Sequence, residues 1–176
     1  MNARKFALQP WAPRPDLKIT GKIARRGQTI IIHYELRGEL AAVALPPPAG
    51  IPARRPGLWQ ETCFEVFLGT KNSPQYWEFN LSPAGHWNVY HFADYRQGMA
   101  EEVAFASLPF SVQRQPDSML LILEVDLTKI IPADQPLEIG ISAVIKLREG
   151  EATYWALSHP GPQADFHRRD SFSVAW

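Results

Sequence analysis

Glu65 and Glu78 sit in two neighbouring runs of alternating aromatic and polar residues, Thr62 to Gly69 and Tyr76 to Ser82. Two carboxyl groups held close together can grip a polyol, or act as the acid and the nucleophile or base of glycoside hydrolysis. The plainer role is pairing, of Glu78 with His91 or Arg96 and of Glu65 with Asn80. Asn80 brings both a donor and an acceptor to the same neighbourhood. Trp59 lies six residues ahead of Glu65. An indole face stacks on the apolar face of a pyranose, and it also caps many ordinary cores. Late in the chain, His159, Asp165 and His167 fall within one polar loop. These types could ligate a transition metal as an N,N,O set. Their spacing matches no familiar metal motif, and Pro160 and Pro162 shape the loop in any case. The same side chains can donate to and accept from sugar-like hydroxyls, or cap loop backbone groups. Cys63 shares the face of Glu65 with no histidine implied beside it, which reads as a packed thiol. Ser82 and Ser158 stand in no nucleophile-elbow pattern. No catalytic residue is assigned.

The elements that must position these groups can be read from period and turn chemistry. In Thr62–Gly69, Thr62, Phe64, Val66 and Leu68 share one face, and Cys63, Glu65 and Phe67 the other. In Tyr76–Ser82, Trp77, Phe79 and Leu81 oppose Tyr76, Glu78, Asn80 and Ser82. Asn, Ser and Pro fill the turn between them, and Pro83-Ala84-Gly85-His86 turns the chain into Trp87–Phe92. This is an antiparallel meander. With Gly69 opposite Tyr76, Glu65 faces Asn80. With Ser82 opposite Trp87, Glu78 faces His91, and Glu65, Glu78, Asn80 and His91 form one polar cluster. Tyr90 and Phe92 then join Trp77 in the core. A slip of one residue in either turn would undo the cluster.

Around the meander, Ile19–Arg25, Thr29–Arg37, Val103–Gln113, Met119–Leu127, Leu137–Leu147, Ala152–Leu157 and Phe172–Trp176 also read as strands. Leu40–Leu45 reads as a further short one. Residues 46–57 form a Pro/Gly-rich loop that is either a rigid crossover or a wall of the ligand site, and it delivers Trp59. Ala93–Glu102 breaks the alternation and suggests a helical turn. Residues 1–15 hold Pro10, Pro13 and Pro15, which oppose helix and central strand, so an extended segment is expected there. Residues 16–176 are then one all-β domain, an antiparallel β-sandwich. No repeat of solenoid period is visible.

Composition sets the outer bounds. The 176 residues are 45% hydrophobic and 20% charged, which suits one domain with a full core. No apolar run reaches the roughly 18 residues a membrane span requires, so no membrane partner is expected. The first residues lack the apolar stretch of a secretory signal, and Cys63 is the single cysteine, so a cytoplasmic location is expected. Residues 1–60 carry a balance of +7 and residues 61–176 one of −7. No Lys/Arg run exceeds two and no nucleic-acid motif occurs, so no nucleic-acid partner is expected either.

Several motifs taken together carry a family resemblance. They are Leu58-Trp59-x-x-Thr62-Cys63-Phe64-Glu65, Tyr76-Trp77-Glu78-Phe79-Asn80-Leu81-Ser82-Pro83, Trp87-Asn88-x-Tyr90-x-Phe92 and Tyr95-Arg96-x-Gly98-Met99. Tyr154-Trp155-Ala156-Leu157-x-His159-Pro160 and Asp165-Phe166-His167 close the series. Over roughly residues 16–176 the sequence resembles the DOMON-like proteins, relatives of the type 9 carbohydrate-binding modules. The resemblance implies an immunoglobulin-like antiparallel sandwich that binds a sugar or haem and catalyses nothing. It implies Trp59 and Glu65 as sugar contacts, and Asn80 on the next strand. Where those modules place an arginine two residues before that asparagine, this chain has Glu78. Where they supply a second tryptophan from a late loop, this chain offers His159, Asp165 and His167, with Trp155 close in sequence. Haem-binding relatives use a Met and a His as axial ligands, and Met99, Met119, His159 and His167 are of those types.

The expected function is therefore non-catalytic binding of a carbohydrate or sugar-containing ligand, at Trp59, Glu65, Glu78, Asn80, His159, Asp165 and His167. No cofactor is expected on this reading. A haem-binding redox module and a glycoside-acting enzyme using Glu65 and Glu78 are the alternatives. The sequence leaves open which sugar, and the oligomeric state.

Overall fold

A computed structural model describes residues 3–14 and 16–176; Pro15, one of the three N-terminal prolines, lies outside the described residues. Among the described residues there are thirteen strands. They are β1 (Arg4–Ala7), β2 (Gln9–Pro10), β3 (Leu17–Arg26), β4 (Thr29–Gly38), β5 (Cys63–Thr70), β6 (Tyr76–Leu81) and β7 (Trp87–Phe92). There follow β8 (Ala100–Glu101), β9 (Phe110–Arg114), β10 (Ser118–Asp126), β11 (Leu137–Lys146), β12 (Ala152–Ala156) and β13 (Val174–Ala175). Among the described residues, helical structure is limited to three short 3₁₀ turns. No helix among the described residues is long and apolar enough to cross a membrane.

The strands form two antiparallel sheets, β1-β3-β4-β10-β9 and β2-β12-β11-β5-β6-β7-β8, with β13 also paired to β11. Alternation decides which faces meet. Ile30, Ile32, Tyr34 and Leu36 of β4 turn inward from the first sheet, and Phe64, Val66, Leu68, Phe79 and Trp77 from the second. The Tyr34 hydroxyl crosses this core and donates to the Glu65 carbonyl oxygen at 2.7 Å. The N-terminal segment touches both sheets, through β1 on β3 and β2 on β12. Its basic character is offset locally: Arg26 pairs with Glu124 at 2.9 Å and Arg14 with Glu151 at 3.8 Å.

Three local expectations are corrected. Leu40–Leu45 is not a strand. Leu40–Ala42 is a 3₁₀ turn, and Val43 alone bridges to Leu147. Ala93–Glu102 holds no helical turn; it is a tight turn running into β8. In the meander, β5 and β6 pair as expected, with Glu65 opposite Asn80 and Gly69 opposite Tyr76. The β6–β7 pairing is shifted by one residue. Leu81, not Ser82, faces Trp87, so Glu78 faces Tyr90 and His91 faces Trp77. His91 therefore leaves the polar cluster, and Tyr90 and Phe92 move from the core face to the face of Glu65 and Glu78. The cause is the turn: Ser82 accepts from Gly85 N–H and donates its own N–H to His86 O, closing a three-residue loop. Gly85 ends that loop at φ +100°, a conformation natural to glycine.

Candidate functional site

The second sheet turns its other face away from the core, and the strand register lays out that face in rows. One row reads Ser142, Glu65, Asn80 and Asn88 across β11, β5, β6 and β7. The next reads Gly140, Phe67, Glu78 and Tyr90. A cavity of about 370 Å³ opens over these rows. Glu65, Glu78, Phe92, Val144 and Tyr154 line it from the sheet. Trp59, Arg96 and Met99 wall one part, and Ala164 to His167 another.

Each wall is held in place by the chain that delivers it. The proline loop is strapped to β7: Arg55 N–H donates to Trp87 O at 2.9 Å, and Ala53 N–H to His86 Nδ1 at 3.1 Å. Arg54 lies over the Trp87 ring and reaches Asn88 Oδ1 at 2.7 Å. Gly57 then takes φ +71°, and Leu58–Gln60 winds into the 3₁₀ turn that presents Trp59. The indole meets Tyr90 edge-on at 5.7 Å and keeps 38% of its surface open. On the far side Tyr154 is 42% exposed and meets Phe166 edge-on at 6.2 Å. The cavity thus has an aromatic ring on each flank.

The third wall is an ion pair. A tight turn, Ala93–Gly98, carries Arg96 at φ +53°. Its guanidinium bridges to Asp165 Oδ1 at 2.8 Å, and the Tyr95 hydroxyl donates to the other oxygen of the same carboxylate. Burial pushes Asp165 up, but Tyr95 and Arg96 outweigh it and hold the carboxyl below its usual range. His167 is fixed beside this pair. Its Nδ1 lies 2.8 Å from the Tyr76 hydroxyl, which already accepts Arg96 N–H at 3.1 Å. One proton is shared across this contact, so Nδ1 is engaged whichever of the two groups donates. Nε2 faces Glu78 at 3.7 Å. Burial, then the charge of Arg96, lower His167 to about 4, so the ring is neutral at pH 7.

The floor is unusual in its charge. Glu65 is 2% exposed and Glu78 4%. Burial, then the charge of Glu78, raise the Glu65 carboxyl well above the carboxylate range. Burial also raises Glu78, to about 7, against the pull of the Asn80 amide, which lies near the carboxyl without completing a hydrogen bond to it, and the charge of Arg96. Asn80 Oδ1, Asn80 Nδ2 and Ser142 Oγ are fully buried without a hydrogen-bond partner among the described residues. Buried polar atoms are normally satisfied, so such a cluster beside a cavity marks hydrogen-bonding capacity held in reserve.

Of the sequence-derived site residues, Trp59, Glu65, Glu78, Asp165 and His167 line the cavity. Asn80 lies beneath the lining, opposite Glu65. His159 lies elsewhere: its Nε2 bonds Gln9 O at 2.8 Å and its ring packs on Trp11. The His159, Asp165, His167 metal set is not assembled, and no group of three or more His, Cys, Asp or Glu among the described residues could hold a metal. Cys63 is buried, and burial raises its thiol pKa. Trp155 faces the core at 2% exposed. Tyr154, Arg96, Phe92 and Phe166 were not singled out from sequence as contacts. A guanidinium, absent at position 78, reaches the cavity as Arg96.

No protein-family model matches the sequence, and no curated protein matches it. Solved structures do match the fold. A candidate carbohydrate-binding protein from Bacteroides uniformis superposes with a TM-score of 0.70 at 12% identity, covering 96% of this chain and 83% of that one. A type 9 carbohydrate-binding module from Caldicellulosiruptor kristjanssonii, solved with glucose, gives a TM-score of 0.54 at 10% identity over 90% of this chain and 76% of that one. The same organism's type 9 module with cellotriose gives 0.55 at 10% identity, over 90% and 75%. The chain has the antiparallel β-sandwich fold of these carbohydrate-binding proteins.

Proposed function

We propose that this protein is a non-catalytic carbohydrate-binding module whose cavity takes one or two sugar rings. The observation that carries the reading is the pairing of two half-open aromatic rings, Trp59 and Tyr154, across a floor of Glu65 and Glu78. Apolar flanks with a few convergent polar groups are the usual make-up of a small-molecule site. The fold shared with modules solved with glucose and cellotriose supports it. On this reading residues 16–176 are the binding domain, to whose sheets the preceding segment adds β1 and β2. His159 is left out of the sugar contacts.

The other readings fit the residues less well. His167 Nδ1 bonds Tyr76 and its Nε2 is directed at Glu78, 3.7 Å away, which makes haem ligation through this histidine the weaker reading. Glu65 and Glu78 rise from one sheet face beneath the ligand. Glycoside hydrolysis needs its two carboxyls to flank the scissile bond.

Trp59→Ala should weaken related sugars by similar factors, roughly 5- to 150-fold for a loss of about 1–3 kcal/mol. Glu65→Gln should instead reorder epimers, since a site built for a given hydroxyl leaves its own groups unpaired when that hydroxyl is moved. Isothermal titration with glucose, galactose, mannose and cellotriose tests both. If wild type binds none of the four and no amino sugar either, the carbohydrate reading fails.

A further inference from the structure

Two carboxyl groups buried at the base of a cavity ionise only where a cation meets them, and otherwise hold their protons. No cation among the described residues is free to do so. Arg96, which borders the cavity, is bridged to Asp165. His167 Nε2 stands 3.7 Å from Glu78, outside hydrogen-bond range. Lys146, further along β11, turns its ammonium to Gln60 O. Arg169 is held by Glu138 and the Thr70 carbonyl. The volume above the glutamates is instead bounded by π faces and edges: Trp59, Phe92, Tyr154 and Phe166. Aromatic rings around buried carboxyls form a surrounding that favours a positively charged ligand group, each ring adding its quadrupole to the carboxylate charge.

A second observation points to a ligand in the same place. Asn80 is fully buried on the same sheet face, opposite Glu65 and two residues from Glu78 on β6. Its amide oxygen and nitrogen both lack a partner among the described residues. An ammonium group has three protons to donate. Glu65 and Glu78 line the cavity and present carboxyl oxygens to such a group, with Asn80 beneath them.

We infer that the ligand of this site carries a protonated amine seated over Glu65 and Glu78: among carbohydrates, an amino sugar whose nitrogen is not acylated. The sugar part of this statement rests on the function proposed above; the amine part does not. Acylation removes the charge and two of the three donor protons, so the N-acetyl form forfeits the recognition. A uronic acid or sugar phosphate brings no cation to the glutamates, and its own negative charge opposes their ionisation.

The test is isothermal titration at pH 6.5 with glucose, glucosamine, N-acetylglucosamine and ethanolamine, on wild type and on the Glu65→Gln and Glu78→Gln variants, each checked by a melting curve. Glucosamine should bind wild type at least tenfold more tightly than glucose or N-acetylglucosamine. At least one of the two variants should fold, and in it glucosamine should lose more affinity than glucose does, so that its advantage falls to less than threefold. Glucose binding as tightly as glucosamine overturns the amine and leaves the carbohydrate reading intact. Ethanolamine binding with no sugar binding upholds the amine and overturns the carbohydrate reading. Failure of all four at millimolar concentration overturns both. A glucosamine advantage that survives in both folded variants also overturns the assignment, since the charge would then be read elsewhere.

Discussion

Trp77→Ala unfolds at a temperature roughly 6–20 °C below wild type, whereas Trp59→Ala melts close to it. The two indoles are separated by the phase of a single strand system. Trp77 is on β6 between Phe79 and the turn, and β6 alternates with every residue buried. Its ring faces the sandwich interior at 8% exposure, between Leu68 on β5 and His91 on β7. Its Nε1–H donates to Glu102 Oε2 at 3.0 Å, while Glu102 Oε1 accepts from Ala104 N–H, so the indole also ties the chain after β8 to the sheet. Removing it opens a cavity and strands a carboxylate. The loss for a buried Trp truncation is about 3–5 kcal/mol. Trp59 stands on a 3₁₀ turn outside the sheet, with its neighbours held by backbone bonds that do not involve its ring. Thermal melts of the two variants decide the matter. If Trp77→Ala melts normally but loses ligand while Trp59→Ala binds as wild type, the two faces of the sheet have been assigned the wrong way round.

How much of this could be read in advance depends on what each feature rests on. The β5–β6 register was legible because both strands alternate cleanly and the turn between them is marked by polar residues and a proline. It placed Glu65 beside Asn80 and Glu78 on the face away from the core, as found. The β6–β7 register was missed by one residue because Pro83-Ala84-Gly85-His86 can be closed as a four-residue or a three-residue loop. Only the backbone conformation of Gly85 distinguishes them, and one residue is enough to exchange His91 for Tyr90 and Phe92. Tyr154 was within reach of the sequence. Ala143 faces the core and pairs with Trp155, so Tyr154, paired with Val144, must face the site. The Arg96–Asp165 bridge was not within reach. It joins positions 69 residues apart through two irregular turns, and no local period announces it. His159 was misread for the opposite reason: it belongs to a polar loop, but its bond to Gln9 O comes from β2 at the other end of the chain.

The last expected result concerns the floor of the cavity and its response to pH. In the folded protein Glu65 and Glu78 both hold their protons to higher pH than an unfolded chain, Glu78 to about 7. The folded state therefore binds more protons than the unfolded one above the unfolded carboxyl value of about 4.3, and stability falls as pH rises through 7. His167, lowered to about 4, has the opposite sign: the unfolded chain binds the extra proton between about 4 and 6.5, so stability climbs there. The groups facing this cluster are Cys63, Tyr76, Arg96 and Asp165, and all stay in place when the glutamates are changed. In wild type the two trends oppose each other from about pH 4.5 to 6.5, and the carboxyl pair acts alone above that. The Glu65→Gln/Glu78→Gln double variant removes only the carboxyl contribution. Relative to its own value at pH 5, it should be the more stable protein at pH 8.5, by on the order of 3 kcal/mol. Its melting temperature should rise from pH 4 to 6.5 with His167 and then level off, while that of wild type declines above 6.5. Melting curves of both proteins from pH 4 to 8.5 at fixed ionic strength supply the comparison. A difference between the two curves that does not change with pH would mean that the glutamates ionise as freely in the folded protein as in the unfolded chain, and that the floor is wetter than its burial indicates.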